Sequence, residues 1–145
     1  MLAYVVKRIG RVRAAYSYAW HSLIANRAMI ANGTDAPVIP VDTMPNFYCA
    51  VTRRERFDPA KPAFEPFQAM TRLEALRSYT YNGAYSMFEE SGLGTLERGK
   101  LADIVVLDRD IMTEPAADIL KTHVVYTILG GRIMYHRGTG FPGLH

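Results

Sequence analysis

The sequence predicts an α/β chain in which a helix, a buried strand and two further helices precede a small antiparallel sheet. Three observations predict it. Apolar residues at 12, 16, 19, 20, 23 and 24 recur with helical spacing and define one buried stripe. The short run Ala28-Met29-Ile30-Ala31-Asn32-Gly33 is mostly apolar and bounded by glycine, which suits a strand buried in a parallel sheet. β-branched runs at 104–107 and 124–135, the second interrupted by Gly130-Gly131, read as strands joined by a two-residue hairpin.

Taken in order, the first helix spans about Val12 to Arg27. The strand over 28–33 is left at Thr34-Asp35-Ala36-Pro37, and Pro37, Pro40 and Pro45 mark an irregular loop. Asp42 and Thr43 can cap a short helix running to Arg53, with Pro45 tolerated in its first turn. Residues 55–69 hold Pro59, Pro62 and Pro66 and read as a loop packed down by Phe57, Phe64 and Phe67. Thr71 and Glu74 form a capping box, in which the hydroxyl serves the N–H three residues on and the carboxylate reaches back. The helix that follows is expected to bury Leu73, Leu76, Thr80, Ala84 and Met87 or Phe88, and to bend near Asn82-Gly83. From Leu101 onward the pattern is that of strands.

Composition narrows the function classes. The chain has 145 residues, nearly half of them apolar, which is ample for a core. Charged residues make up 21% and the net charge is +3, an ordinary balance. The basic clusters, Lys7-Arg8-Arg11-Arg13 and Arg53-Arg54-Arg56, read as solvated helix faces rather than a nucleic-acid surface, because no continuous basic face with stacking aromatics accompanies them. One cysteine, Cys49, excludes an internal disulfide. Lys7 and Arg8 follow the apolar first residues, the reverse of a signal peptide, and no apolar run approaches the ~20 residues of a membrane span. The expectation is a cytoplasmic protein with no membrane and no nucleic-acid partner.

Chemistry-bearing residues are sparse. His21, His123, His136 and His145 show no metal-ligand spacing. Asp103, Asp108 and Asp110 lack the glycine and spacing of a calcium loop and are read as strand-end carboxylates. Gly92-Leu93-Gly94 is followed by a strand rather than by the helix a phosphate cradle needs. Asp35 stands out by position, since a carboxylate just beyond a buried parallel strand is where α/β barrels place catalytic groups. By position alone, an Asp there is also commonly a turn or cap residue.

Together, several segments resemble the amidohydrolase family 3, the YtcJ-like branch of the metal-dependent amidohydrolase superfamily. They are Gly33-Thr34-Asp35-Ala36-Pro37-Val38, Phe47-Tyr48 with Ala50 to Arg54, Met70 to Arg77, Thr80 with Ala84, Gly99 to Asp110, and Gly130-Gly131-Arg132. The resemblance implies the C-terminal portion of a (β/α)8 metallohydrolase barrel over residues 1–98 and the C-terminal strands of an accompanying small β-sandwich over 99–145. Met29 to Gly33 would be the eighth barrel strand. It further implies hydrolysis of C–N bonds in a small-molecule amide, with a divalent metal, zinc, in the complete enzyme. Asp35 would be both the metal-proximal residue and the general base, taking a proton from water and returning it to the departing amine.

The other ligands of such a site have no counterpart here, so the chain alone is expected not to hold the metal. A rival reading from another class is a non-catalytic remnant or interaction subunit. Its exposed barrel edge would self-associate unless a missing barrel half covered it. A third, weaker reading is a small basic binding module built on the arginines of 53–56.

Overall fold

The computed structural model describes residues 2–138, with side chains from Val5 onward, so the expectation placed on His145 lies outside the described residues. The chain opens with α1 (Leu2–Ile9), α2 (Arg11–Ala14) and α3 (Trp20–Ala25). The single helix expected over 12–27 is therefore two short ones, broken where Tyr18 takes a left-handed backbone, φ 55°. Its expected buried stripe is largely in solvent: Val12, Tyr16 and Leu23 are exposed, while Ala14 is buried and Trp20 and Ile24 pack at the core's edge.

Residues 28–33, expected as a strand, pair with no neighbouring strand among the described residues. A parallel strand exists only by its ladder, and among the described residues nothing supplies one. Side chains and a helix end take over part of that role. The Asn32 N–H donates to the Ser78 carbonyl at 2.9 Å, and Asn82 Nδ2 donates to the Ile30 carbonyl at 2.8 Å.

The core is built by α4 (Met44–Thr52), α5 (Arg72–Tyr79) and α7 (Ala116–Ile119). Phe47, Tyr48 and Ala50 of α4 meet Ala75 of α5, Ile119 of α7, and Met70 and Ile111 from connecting segments. At the start of α4, Asp42 Oδ1 accepts the Met44 N–H at 3.1 Å, and Pro45 occupies the first turn, where a missing N–H costs nothing. The capping box of α5 is complete: Glu74 Oε2 accepts the Thr71 N–H at 2.7 Å, and Thr71 Oγ1 accepts the Glu74 N–H at 3.2 Å. That helix breaks at Thr80, two residues before the expected bend, and α6 (Tyr81–Ser86) continues it. Its buried face carries Ala75, Ser78 and Ala84, whereas Leu73, Met87 and Phe88 are exposed. Of the three loop aromatics, only Phe64 is buried; Phe57 and Phe67 face solvent.

β1 (Ile104–Leu107), β2 (Val124–Leu129) and β3 (Arg132–His136) form an antiparallel sheet in that order. Gly130 and Gly131 turn the hairpin at φ 54° and 80°, the left-handed pair that a tight two-residue turn requires. Each strand-end aspartate has a structural task. Asp103 accepts the Gly130 N–H at 2.7 Å, Asp108 the His123 N–H at 2.8 Å, and Asp110 the Met112 N–H at 2.9 Å. The architecture is α/β with a partial, unclosed sheet. Among the described residues no helix is long and apolar enough to cross a membrane.

Candidate functional site

Asp35 leaves the extended segment in a left-handed conformation, φ 52°, and its carbonyl accepts the Val38 N–H at 2.8 Å, closing a tight turn. The side chain is exposed, and it lines a cleft of about 620 Å³. The other walls are Asn32 to Thr34, Val38 and Ile39, the inner face of α4 at Cys49 and Ala50, the stretch from Arg53 to Phe57, and the rings of Tyr18, Trp20 and Tyr79. The geometry therefore opens Asp35 onto a concavity of small-molecule size.

Arg53 anchors the opposite wall. It ends α4 in a left-handed backbone, φ 59°, and is only 3% exposed. Its Nε donates to the Phe64 carbonyl at 2.9 Å, Nη1 to the Tyr18 carbonyl at 3.0 Å and Nη2 to the Ser17 carbonyl at 3.4 Å. The guanidinium lies 4.8 Å from the Trp20 ring centre and 5.6 Å from that of Phe64. Burial lowers its pKa, and Glu65 opposes that shift. The basic run at 53–56 is thus not simply a solvated helix face: its first member is a buried strut, while Arg54 and Arg56 are half-buried. Arg54 Nη1 donates to the carbonyls of Pro59 and Lys61, both at 2.9 Å. Arg56 lies over the exposed Phe57 ring at 4.4 Å.

Two acidic hydrogens in the cleft are held firmly. Burial pushes the Tyr79 phenol up to about 12, with Cys49 adding to the effect, and burial also raises the Cys49 thiol, against the opposing backbone N–H of Arg56. Near neutral pH both are uncharged, so neither is a ready metal ligand or nucleophile. The histidines lie elsewhere: His21 is exposed, Nδ1 of His123 is 3.2 Å from Asp108 Oδ2, and His136 stacks on Tyr126 at 4.4 Å.

A structural or catalytic zinc normally takes three or four protein donors. Among the described residues no group of three or more His, Cys, Asp or Glu could hold a metal ion. The two cleft carboxylates do not make up the deficit, because Glu55 is already held by Lys61 at 3.2 Å. The donor set among the described residues does not fit a metal.

Sequence reasoning found Asp35 but missed Trp20, Tyr18, Cys49, Tyr79 and the burial of Arg53. No local signal announces the burial of Arg53, because the carbonyls it serves belong to Ser17, Tyr18 and Phe64 rather than to the end of α4.

Residues 1–135 match the amidohydrolase family. The chain is 28% identical over 134 residues to YtcJ of Bacillus subtilis strain 168, covering 92% of this chain and 25% of that protein. It is 38% identical over 73 residues to the N-substituted formamide deformylase of Arthrobacter pascens, covering 50% of this chain and 14% of the relative. It also superposes on an amidohydrolase from Thermotoga maritima with a TM-score of 0.59 at 22% identity, over 83% of this chain and 26% of that one, a likeness of fold. This chain thus spans about a quarter or less of the length of each of them.

Proposed function

This chain belongs to the amidohydrolase family, and from that premise we propose that it is the C-terminal portion of a metal-dependent hydrolase acting on C–N bonds of small non-peptide amides. Residues 1–98 would contribute the last part of the barrel and 99–145 the sandwich strands. The observation that carries the reading is the family match over residues 1–135, with Asp35 at the mouth of the cleft.

In this reading Asp35 moves the proton. Its carboxylate makes no hydrogen bond or ion pair among the described residues, which leaves it open to accept a proton from water and return it to the leaving nitrogen. The donors among the described residues do not make a metal site, so in this reading the remaining ligands would come from the rest of the enzyme. The unpaired segment at 28–34 would be where that part adds its strand.

A chimera tests this. The matched 134 residues of YtcJ are replaced by this chain, the product is loaded with zinc, and amine release from an N-substituted formamide is measured. The expected result is turnover that falls about 100-fold or more on Asp35→Asn, the share a positioned general base contributes. A folded, zinc-loaded chimera that works equally well with asparagine at 35 would remove Asp35 from the mechanism.

A further inference from the structure

We propose that Arg56 recognises a carboxylate on the ligand, so that the cleft selects amides bearing an acidic group. The word amide rests on the function proposed above; the preference for an anion stands on the cleft itself.

Three arginines line the cavity, and their surroundings separate them. Arg53 is committed to the carbonyls of Phe64, Tyr18 and Ser17. Arg54 is committed to those of Pro59 and Lys61. The Arg56 guanidinium has a ring beneath it and no acceptor among the described residues, although it is half-buried. Its backbone N–H is the group that serves Cys49. A partly desolvated guanidinium with five unclaimed N–H groups is matched best by a planar two-oxygen anion, which it can hold through two parallel hydrogen bonds. The Phe57 ring lies against the guanidinium, its centre 4.4 Å away.

Three arginines and two carboxylates, Asp35 and Glu55, line the cleft, so its wall keeps an excess of positive charge. Glu55 is held by Lys61, and the thiol of Cys49 and phenol of Tyr79 stay protonated near neutral pH. The remaining wall is apolar or aromatic at Val38, Ile39, Ala50 and Trp20, and polar at Asn32, Thr34 and Asn46. The occupant that fits is therefore a molecule with an apolar body and one carboxylate, its scissile bond toward Asp35 and its acid toward Arg56.

The test uses the whole chain without metal and reads its single tryptophan, Trp20, which stands in the cleft wall. Fluorescence titrations compare N-acetylleucine with the neutral N-acetylleucinamide. The expected result is about tenfold tighter binding of the acid at low salt, the scale of one charge-assisted contact, narrowing as salt is raised. Arg56→Met removes the preference, with Arg56→Gln as the second variant should the first not fold, whereas Arg54→Met keeps it. Equal binding of the two compounds, binding of neither, or a preference that survives loss of Arg56 overturns the proposal. No turnover is involved, so an inactive chimera with the preference intact would fell the hydrolase reading alone. An active chimera without the preference would fell this one alone.

Discussion

Replacing Arg53 by methionine keeps most of the side-chain volume and deletes its donors. Two hydrogen bonds, at 2.9 and 3.0 Å to the carbonyls of Phe64 and Tyr18, are lost outright, and the 3.4 Å contact to Ser17 is too long to weigh much. Hydrogen bonds to a charged group contribute ~1.5–3 kcal/mol each, and the low end applies where the carbonyls are only part-buried, giving about 3 kcal/mol for the pair. Stacking between Trp20 and Phe64 adds about 1 kcal/mol. Relief from holding a buried charge, the same effect that lowers the Arg53 pKa, returns a similar amount. The net cost is about 3 kcal/mol, a large fraction of the ~5–15 kcal/mol that holds a domain together. With a urea m-value of ~2 kcal/mol/M, the midpoint followed by Trp20 fluorescence falls by about 1.5 M. Arg54→Met, which releases two carbonyls in an exposed loop, shifts it by less than ~0.5 M. An Arg53→Met midpoint within 0.5 M of wild type, on the scale set by that m-value, would show that those carbonyls find water freely and that Arg53 is not a strut.

Three further outcomes follow from the same geometry. Gly94→Ala destabilises by more than ~2 kcal/mol in the same urea assay, because φ is +87° and the new Cβ would lie 2.8 Å from both Ala84 Cβ and the Tyr81 Cα, which is backbone; a loss under ~0.5 kcal/mol would contradict the packing described. Asp108 is held below its usual 3.8 by the His123 N–H first, then by the His123 ring and Arg137. A depressed carboxylate pKa adds stability that is complete above pH ~4 and is lost as pH falls through the lower folded value. Carboxyl carbon NMR should accordingly find Asp108 titrating below 3.8 and moving upward in Arg137→Met, and an unmoved titration would dismiss the cluster. Dialysed against buffer after zinc loading, the isolated chain keeps less than ~0.1 equivalent by elemental analysis, one carboxylate being too few donors; retention of one equivalent would reveal a ligand set that the fold does not display.

What was legible in the sequence was local. The capping box at Thr71 and Glu74 and the Gly130-Gly131 turn need only neighbours a few residues away, and both formed as expected. Asp35 was legible as a position and does line the cleft. What failed depended on distant partners. The expected helix over 12–27 breaks at Tyr18, and the carbonyls of Ser17 and Tyr18 are accepting from Arg53, 36 and 35 residues away respectively, which no periodicity in the first segment can announce. The burial forecast for α5 and α6 was right at Ala84 and missed at Leu73, Thr80, Met87 and Phe88, because small residues face the crowded side. Ala75 and Ser78 let α5 approach its neighbours closely, and Leu73, Met87 and Phe88 turn outward.

The segment from Ala28 to Thr34 shows why pattern and structure part company most sharply where function is expected. Its composition suits burial on both faces. The fold supplies one: α5 and α6 take its polar groups through Ser78 and Asn82, and Ile30 packs against the core, while Met29 is 48% exposed. A chain segment patterned for two neighbours and given one is held in line by a handful of hydrogen bonds rather than by a ladder. Asp35 is mounted at the end of that segment, in a turn whose own closure is a single backbone hydrogen bond. The backbone that carries Asp35 is therefore anchored through Asn32, Ser78 and Asn82. A strand added along the open side would stiffen the whole mount and, on the proposed reading of Asp35 as general base, hold its carboxylate steady toward the cleft.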